Sequence, residues 1–259
     1  MKKHWLPFCV FLFLLSTAFA QISPPGLDDT NTSFWSAIGI NEKFSDRWMV
    51  SVYGGASRHG NPDNYSLIQK PGMLVLSEET MFQINPKWAI ALGISYRKQN
   101  RYEEESPYSP ADLEVRNEER FYFRFYLREK LGKLKLTFSF RPELRFYFGD
   151  HGHTWSPVDE EVRFRLKGQA AVPLNEANTN QFIVANEIFT ATDYEKSNIT
   201  DRWTSYAFTE DRIATYFRHS FKRLVSADIG VMQQIKADGD YIVHVAFDLI
   251  LKLPPNQQE

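Results

Sequence analysis

The chain reads as an all-β protein, a closed antiparallel up-and-down transmembrane barrel. Three observations predict it. Long segments alternate greasy and polar side chains with a period of two, the connections between them alternate short and long, and an export signal precedes them. No segment carries a convincing helical period.

The clearest alternation is a hairpin from Glu119 to Phe148. On its first limb Phe121, Phe123, Phe125 and Leu127 share one face, while Arg120, Tyr122, Arg124, Tyr126 and Arg128 share the other. After Leu131-Gly132-Lys133 the return limb repeats the pattern. Leu134, Leu136, Phe138, Phe140, Leu144, Phe146 and Phe148 lie opposite Lys135, Thr137, Ser139, Arg141, Glu143, Arg145 and Tyr147. Each limb runs for roughly 9 to 15 residues, enough for a tilted strand to cross the hydrocarbon of a bilayer. Strands of soluble proteins average about 5 to 6 residues. The polar face favours Arg, Glu and Tyr over Lys. Arginine suits planar, multiply bonded pairs packed away from bulk water. The aromatic face is therefore assigned to lipid and the Arg/Glu face to a barrel interior.

Residues 1–20 have the organisation of a signal peptide: Lys2 and Lys3, an apolar run from Trp5 to Leu15, and Ala18-Phe19-Ala20 before Gln21. The single cysteine, Cys9, lies within it, so the exported chain would hold no disulfide and no thiol ligand. Residues 21–32, with Pro24-Pro25-Gly26, form an extended lead-in; residues 33–253 form the barrel and residues 254–259 a tail. Mean hydropathy is negative, as lumen residues make it in such barrels, and aromatics reach 15%. A formal charge of −2 shows no basic stripe for nucleic acid.

Eleven strand segments can be marked: 33–43, 47–58, 72–84, 87–99, 115–130, 133–148, 160–173, 180–193, 205–220, 224–236 and 241–253. Short turns follow the first, third, fifth and ninth, and longer loops the second, fourth, sixth and eighth. The seventh turn is longish, and the tenth loop, Ala237 to Asp240, is tight. Bacterial single-chain barrels have even strand numbers. The expected count is therefore twelve, with ten the next choice. Trp35, Trp48, Trp88, Trp155 and Trp203 fall near strand ends, where an interfacial aromatic girdle would place them.

Several short motifs add a resemblance covering nearly the whole exported chain. They include Asp46-Arg47-Trp48, Ile84-Asn85-Pro86-Lys87-Trp88, Arg141-Pro142-Glu143-Leu144-Arg145-Phe146, Arg163-Phe164-Arg165, Asn186-Glu187-Ile188-Phe189, Glu210-Asp211-Arg212 and Gly230-Val231-Met232-Gln233. Their order resembles a Gram-negative outer-membrane family known only as domain of unknown function 2490. The resemblance implies a β-barrel in the outer membrane and no established activity. Barrels often finish on an aromatic strand terminus, whereas here Leu253 is followed by Pro254-Pro255-Asn256-Gln257-Gln258-Glu259. Membrane lipid and the outer-membrane assembly machinery are the expected partners; neither a cofactor nor nucleic acid is.

The strongest constellation is Arg120, Arg124, Arg128, Arg141, Glu143, Arg145, Glu161, Arg163, Arg165, Glu187, Glu210 and Arg212. Adjacent strands should bring Arg124 or Arg128 near Arg141 and Glu143, and Glu161 or Arg163 near Arg145. The set is either a salt-bridged core plugging a small barrel or an anion-attracting constriction of a pore. Long arginines in so narrow a lumen favour the plug. His151 and His153 beside Asp150 offer two imidazoles and a carboxylate to a metal, but no third fixed ligand. His244 and Asp248 share the polar face of the last strand, and Ser226 lies on the strand before it. This is the raw material for a lipid or lipopolysaccharide hydrolase. A soluble periplasmic barrel with an apolar pocket is the other alternative, and it requires the aromatic face to point inward.

Overall fold

The computed structural model describes residues 26–27, 30–149, 158–195, 201–222 and 224–253. The proposed signal peptide, Asp150, His151, His153, Trp155 and residues 254–259 lie outside the described residues. The strands are β1 (Thr32–Lys43), β2 (Trp48–His59), β3 (Lys70–Gln83), β4 (Trp88–Tyr102), β5 (Pro110–Leu131) and β6 (Leu134–Gly149). They continue with β7 (Val158–Pro173), β8 (Asn180–Glu195), β9 (Arg202–Trp203), β10 (Ala207–Phe221), β11 (Val225–Lys236) and β12 (Tyr241–Leu253). Every segment marked by period-two alternation is a strand, with ends shifted by only a few residues.

The sheet has twelve strands, and its closure differs from the simple up-and-down scheme. Eleven long strands make the wall, and β9 is a two-residue piece paired with the end of β8 through Tyr194↔Trp203 and Glu195↔Arg202. β10 then takes over the same edge of β8 from Ala207↔Ala191. Ser205 and Tyr206 lie between them outside the backbone register with β8, so β9 and β10 act as one strand split by a bulge. Tyr206 projects outward from it onto Phe164, with ring centroids 5.6 Å apart.

An odd number of wall strands leaves the first and last running the same way. β1 and β12 therefore close the barrel in parallel, from Thr32↔Val243 to Glu42↔Leu253, while every other neighbouring pair is antiparallel. This corrects the expectation of an antiparallel seam and resolves the parity problem. Hydrogen bonding around the ring is complete without a twelfth long strand, so no edge is exposed.

The short turns are held by local chemistry. Ser45 Oγ accepts from the amides of Arg47 and Trp48, and Asn85 Oδ1 accepts from those of Lys87 (2.9 Å) and Trp88 (3.0 Å). Gly132 turns the β5–β6 hairpin with φ +60°, a conformation that favours glycine.

The facing follows the sequence alternation. Phe121, Phe123 and Phe125 are 50%, 58% and 46% exposed, whereas Tyr122 and Tyr126, on the opposite parity, are buried. Phe125, Phe140 and Phe164 stack across β5, β6 and β7 on the outer wall. The soluble-barrel alternative needed this face inward and is not met. Trp48, Trp88 and Trp203 are exposed at strand ends as expected. Trp35 is the correction: it is wholly buried, points into the barrel and donates from Nε1 to Asp248 at 3.1 Å. It sits on the inward parity of β1 with Ser33, Ala37 and Asn41, and strand parity overrides proximity to a strand end.

Candidate functional site

The interior divides into an apolar sector and a charged one. Around the seam, Trp35, Ala37, Ala214, Tyr216, Met232, Ile242, Ala246 and Ile250 pack together with Leu27. Across the lumen, β4 to β8 and β10 present the arginines and glutamates.

All twelve residues of the predicted constellation lie on the inner face. Their register explains how so many cations coexist. Arg120 on β5 stands directly across from Arg145 on β6, and Arg141 on β6 directly across from Arg165 on β7. Like charges in opposite positions destabilise a sheet. Each facing pair is bridged by one glutamate. Glu118 pairs with both Arg120 and Arg145. Glu143 lies 2.5 Å from Arg141 and 2.9 Å from Arg165. Arg165 reaches on to Glu187 at 2.8 Å. In a low-dielectric interior such interlocking keeps each ion hydrogen-bonded.

The longest run of contacts circles the lumen toward the long-loop end. Arg97 on β4 lies 3.8 Å from Glu118, which holds Arg145; Arg145 holds Glu161, and Glu161 holds Arg163 at 2.6 Å. Arg163 lies 3.5 Å from Glu210, which also holds Arg212. Glu210 accepts from Gln234 on β11 at 2.6 Å. Gln234 in turn binds the backbone of Leu27 in both directions, and Arg97 donates to the Gly26 carbonyl at 2.8 Å. β4 and β11 stand on opposite sides of the ring. Gly26 and Leu27 of the lead-in therefore bridge the lumen and complete the circuit. A Cβ at Gly26 would fall 2.6 Å from Gln234 and 2.7 Å from Arg212, so the absence of a side chain permits the crossing.

Aromatic faces fill the spaces between cations. The Arg141 guanidinium lies 3.5 Å from the centroid of the Tyr122 ring, and Arg212 and Arg165 lie 4.2 and 4.6 Å from that of Phe189. Arg145 meets Glu161 as the sequence suggests. Arg124 likewise comes near Arg141, beside the same Tyr122 ring, but the acceptors of Arg124 and Arg128 lie on β3: Glu79 at 3.2 Å from Arg124, and Gln83 at 2.5 Å from Arg128. The β5–β6 register, continued past Tyr122↔Glu143, sets Arg124 against Arg141, and that repulsion favours the pairing of Arg124 with Glu79.

Sequence reasoning missed Glu118, Arg97 and Glu79, and also the two-pronged pair of Arg218 with Asp228 at 2.7 and 2.6 Å. Glu118 was findable, because it continues the even-numbered face of Arg120 and Arg124. The signal fades there because Arg116, Asn117, Glu118 and Glu119 are polar at both parities.

The hydrolase residues do not assemble. His244 Nδ1 faces the Ser33 hydroxyl at 2.5 Å and Nε2 faces the Gln234 carbonyl oxygen at 3.1 Å. Asp248 is engaged with Trp35, and Ser226 with Ser220. Ser33 and His244 are buried among neighbouring strands. Among the described residues no cluster of His, Cys, Asp and Glu could hold a metal ion.

Because Glu143 is buried between two arginines, Glu143→Ala should destabilise the folded barrel by about 3–5 kcal/mol. Glu103→Ala, in the exposed loop after β4, should fall within about 0.5 kcal/mol of the unmutated protein. Urea unfolding in detergent would measure both, and equal losses would refute the facing assigned here.

An apolar outer belt, a fully paired ring of strands and a polar interior define a β-barrel of the membrane-spanning kind. The chain belongs to the family described as "Protein of unknown function (DUF2490)", whose model matches residues 32–241. Comparison with curated proteins gives no significant match. Similar solved folds include the siderophore receptor PirA from Pseudomonas aeruginosa, at 13% identity and a TM-score of 0.37, covering 78% of this chain. The match spans only 34% of that receptor. LpxR from Salmonella typhimurium aligns at 8% identity and a TM-score of 0.44, covering 79% of this chain and 83% of its own.

Proposed function

We propose that the protein is an integral outer-membrane barrel with a structural role, its lumen sealed from within and its longer loops turned to the outside. The observation that carries this reading is the polar circuit from Arg97 through Glu118, Arg145, Glu161, Arg163, Glu210 and Gln234 to the backbone of Gly26 and Leu27. Side chains together with Gly26 and Leu27 fill the cross-section that a diffusion pore leaves to water. The protein then acts as a rigid membrane-embedded scaffold for its loops, with membrane lipid as its main partner.

The reading is tested in planar bilayers with the refolded mature protein. A compact band that runs faster unboiled than boiled should accompany the absence of stepwise current. Reproducible conductance steps from that compact form would replace the sealed scaffold with a pore.

A further inference from the structure

We propose that the barrel encloses a binding site for one small inorganic anion, at mid-height of the lumen between Arg120, Arg124, Arg141, Arg165, Lys167 and Arg212. A cavity of about 60 Å³ lies there. Those six cationic side chains line it, against a single carboxylate, Glu187. The glutamates that pair with these arginines, Glu79, Glu118, Glu143 and Glu210, approach them from outside the cavity lining. Positive groups thus converge on a space from which most of their counter-charges are withheld.

Two details at the wall point to an occupant. Arg141 is buried, and its Nε pairs with Glu143 at 2.5 Å without the alignment of a hydrogen bond, so Glu143 balances its charge but does not accept its proton. Buried donors are nearly always satisfied, by protein, water or ion. Ser95 and Ser139 also line the cavity and carry hydroxyls able to donate to an anion. Water occupies about 30 Å³ per molecule in the liquid. The cavity therefore has room for chloride, or for a compact oxyanion such as phosphate, and none for a bulky organic anion. Several cations around one low-dielectric space repel one another, and an anion among them turns that repulsion into attraction.

The site rests on the sealed-lumen reading, since an open channel would hydrate these groups instead. The experiment separates the two. Mature protein is refolded in detergent at fixed ionic strength with chloride, with inorganic phosphate, or with only the bulky 2-(N-morpholino)ethanesulfonate. The temperature at which the compact gel band converts to the unfolded one is then recorded. A bound small anion should raise that temperature by about 5 °C over the bulky buffer anion, and saturably. Lys167→Met should keep the compact band and lose most of the increment. Equal conversion temperatures in all three salts, or an unchanged increment in the variant, would overturn the site while leaving the barrel standing. Absence of the compact band in every salt would count against the sealed barrel itself. Crystals of the unmutated protein grown with bromide give a reading that needs no variant. An anomalous peak in the cavity supports the site, and its absence overturns it.

Discussion

Glu118→Ala should lower the stability of the folded barrel by about 3–5 kcal/mol, the expected effect of stripping a buried ion of its partner. Glu118 is almost wholly buried and, among the described residues, is the one that forms ion pairs with Arg97, Arg120 and Arg145 together. Its loss leaves Arg120 and Arg145 facing each other across β5 and β6 with no charge between them. Arg145 retains Glu161, and Arg97 retains the Gly26 carbonyl, so the barrel should still form. Glu118→Gln keeps the shape and one carbonyl acceptor while removing the charge, and should fall between alanine and the unmutated protein. Urea unfolding in detergent, followed by circular dichroism and by gel mobility, gives the ranking. A loss under about 0.5 kcal/mol for Glu118→Ala would mean that Glu118 is solvated and that the circuit is open to water.

That prediction marks the boundary between what the sequence discloses and what it hides. Strand positions and facing are legible because a period of two leaves only one consistent choice wherever one side is greasy, as from Phe121 to Phe125. The inward placement of the twelve arginines and glutamates follows from the same parity. Their partnerships do not, because they depend on register across strands. Only the pairing of Arg141 with Arg165, and of Arg120 with Arg145, creates the like-charge faces that Glu143 and Glu118 bridge. The parallel seam was hidden for another reason. Direction in a closed ring is set by whether the strand count is odd, and the even count usual in bacterial barrels overrode the eleven segments that alternation marks. The lead-in gave no sign of its path either. A stretch beginning Pro24-Pro25-Gly26 reads as a linker, and only their contacts place Gly26 and Leu27 inside the barrel.

The second large effect is expected at Gly55. A Cβ there would lie 2.3 and 2.4 Å from two carbons of the Trp35 ring and 2.9 Å from Ala37. Gly55 faces Ala37 across β1 and β2, and the missing side chain is what lets the indole lie flat against β2. Trp35 has little room to withdraw, because Asp248 accepts its Nε1 proton and Ala37, Ala246 and Leu27 belong to the same packed cluster. Gly55→Leu should therefore cost about 3 kcal/mol or more, at the upper end for overpacking a filled core. Trp35→Ala alone should cost about 3–5 kcal/mol by leaving a void. The double variant distinguishes a steric clash from a general loss of fold. If leucine occupies the space the indole vacates, the combined loss should fall short of the sum of the single losses by about 1–3 kcal/mol. Simple additivity, with Gly55→Leu well tolerated, would put Trp35 on the outer surface among the girdle tryptophans. The lumen beside the seam would then be open, because the indole is its largest filler. A single cycle of two substitutions thus tests both the inward parity of β1 and the sealing of the barrel beside the seam.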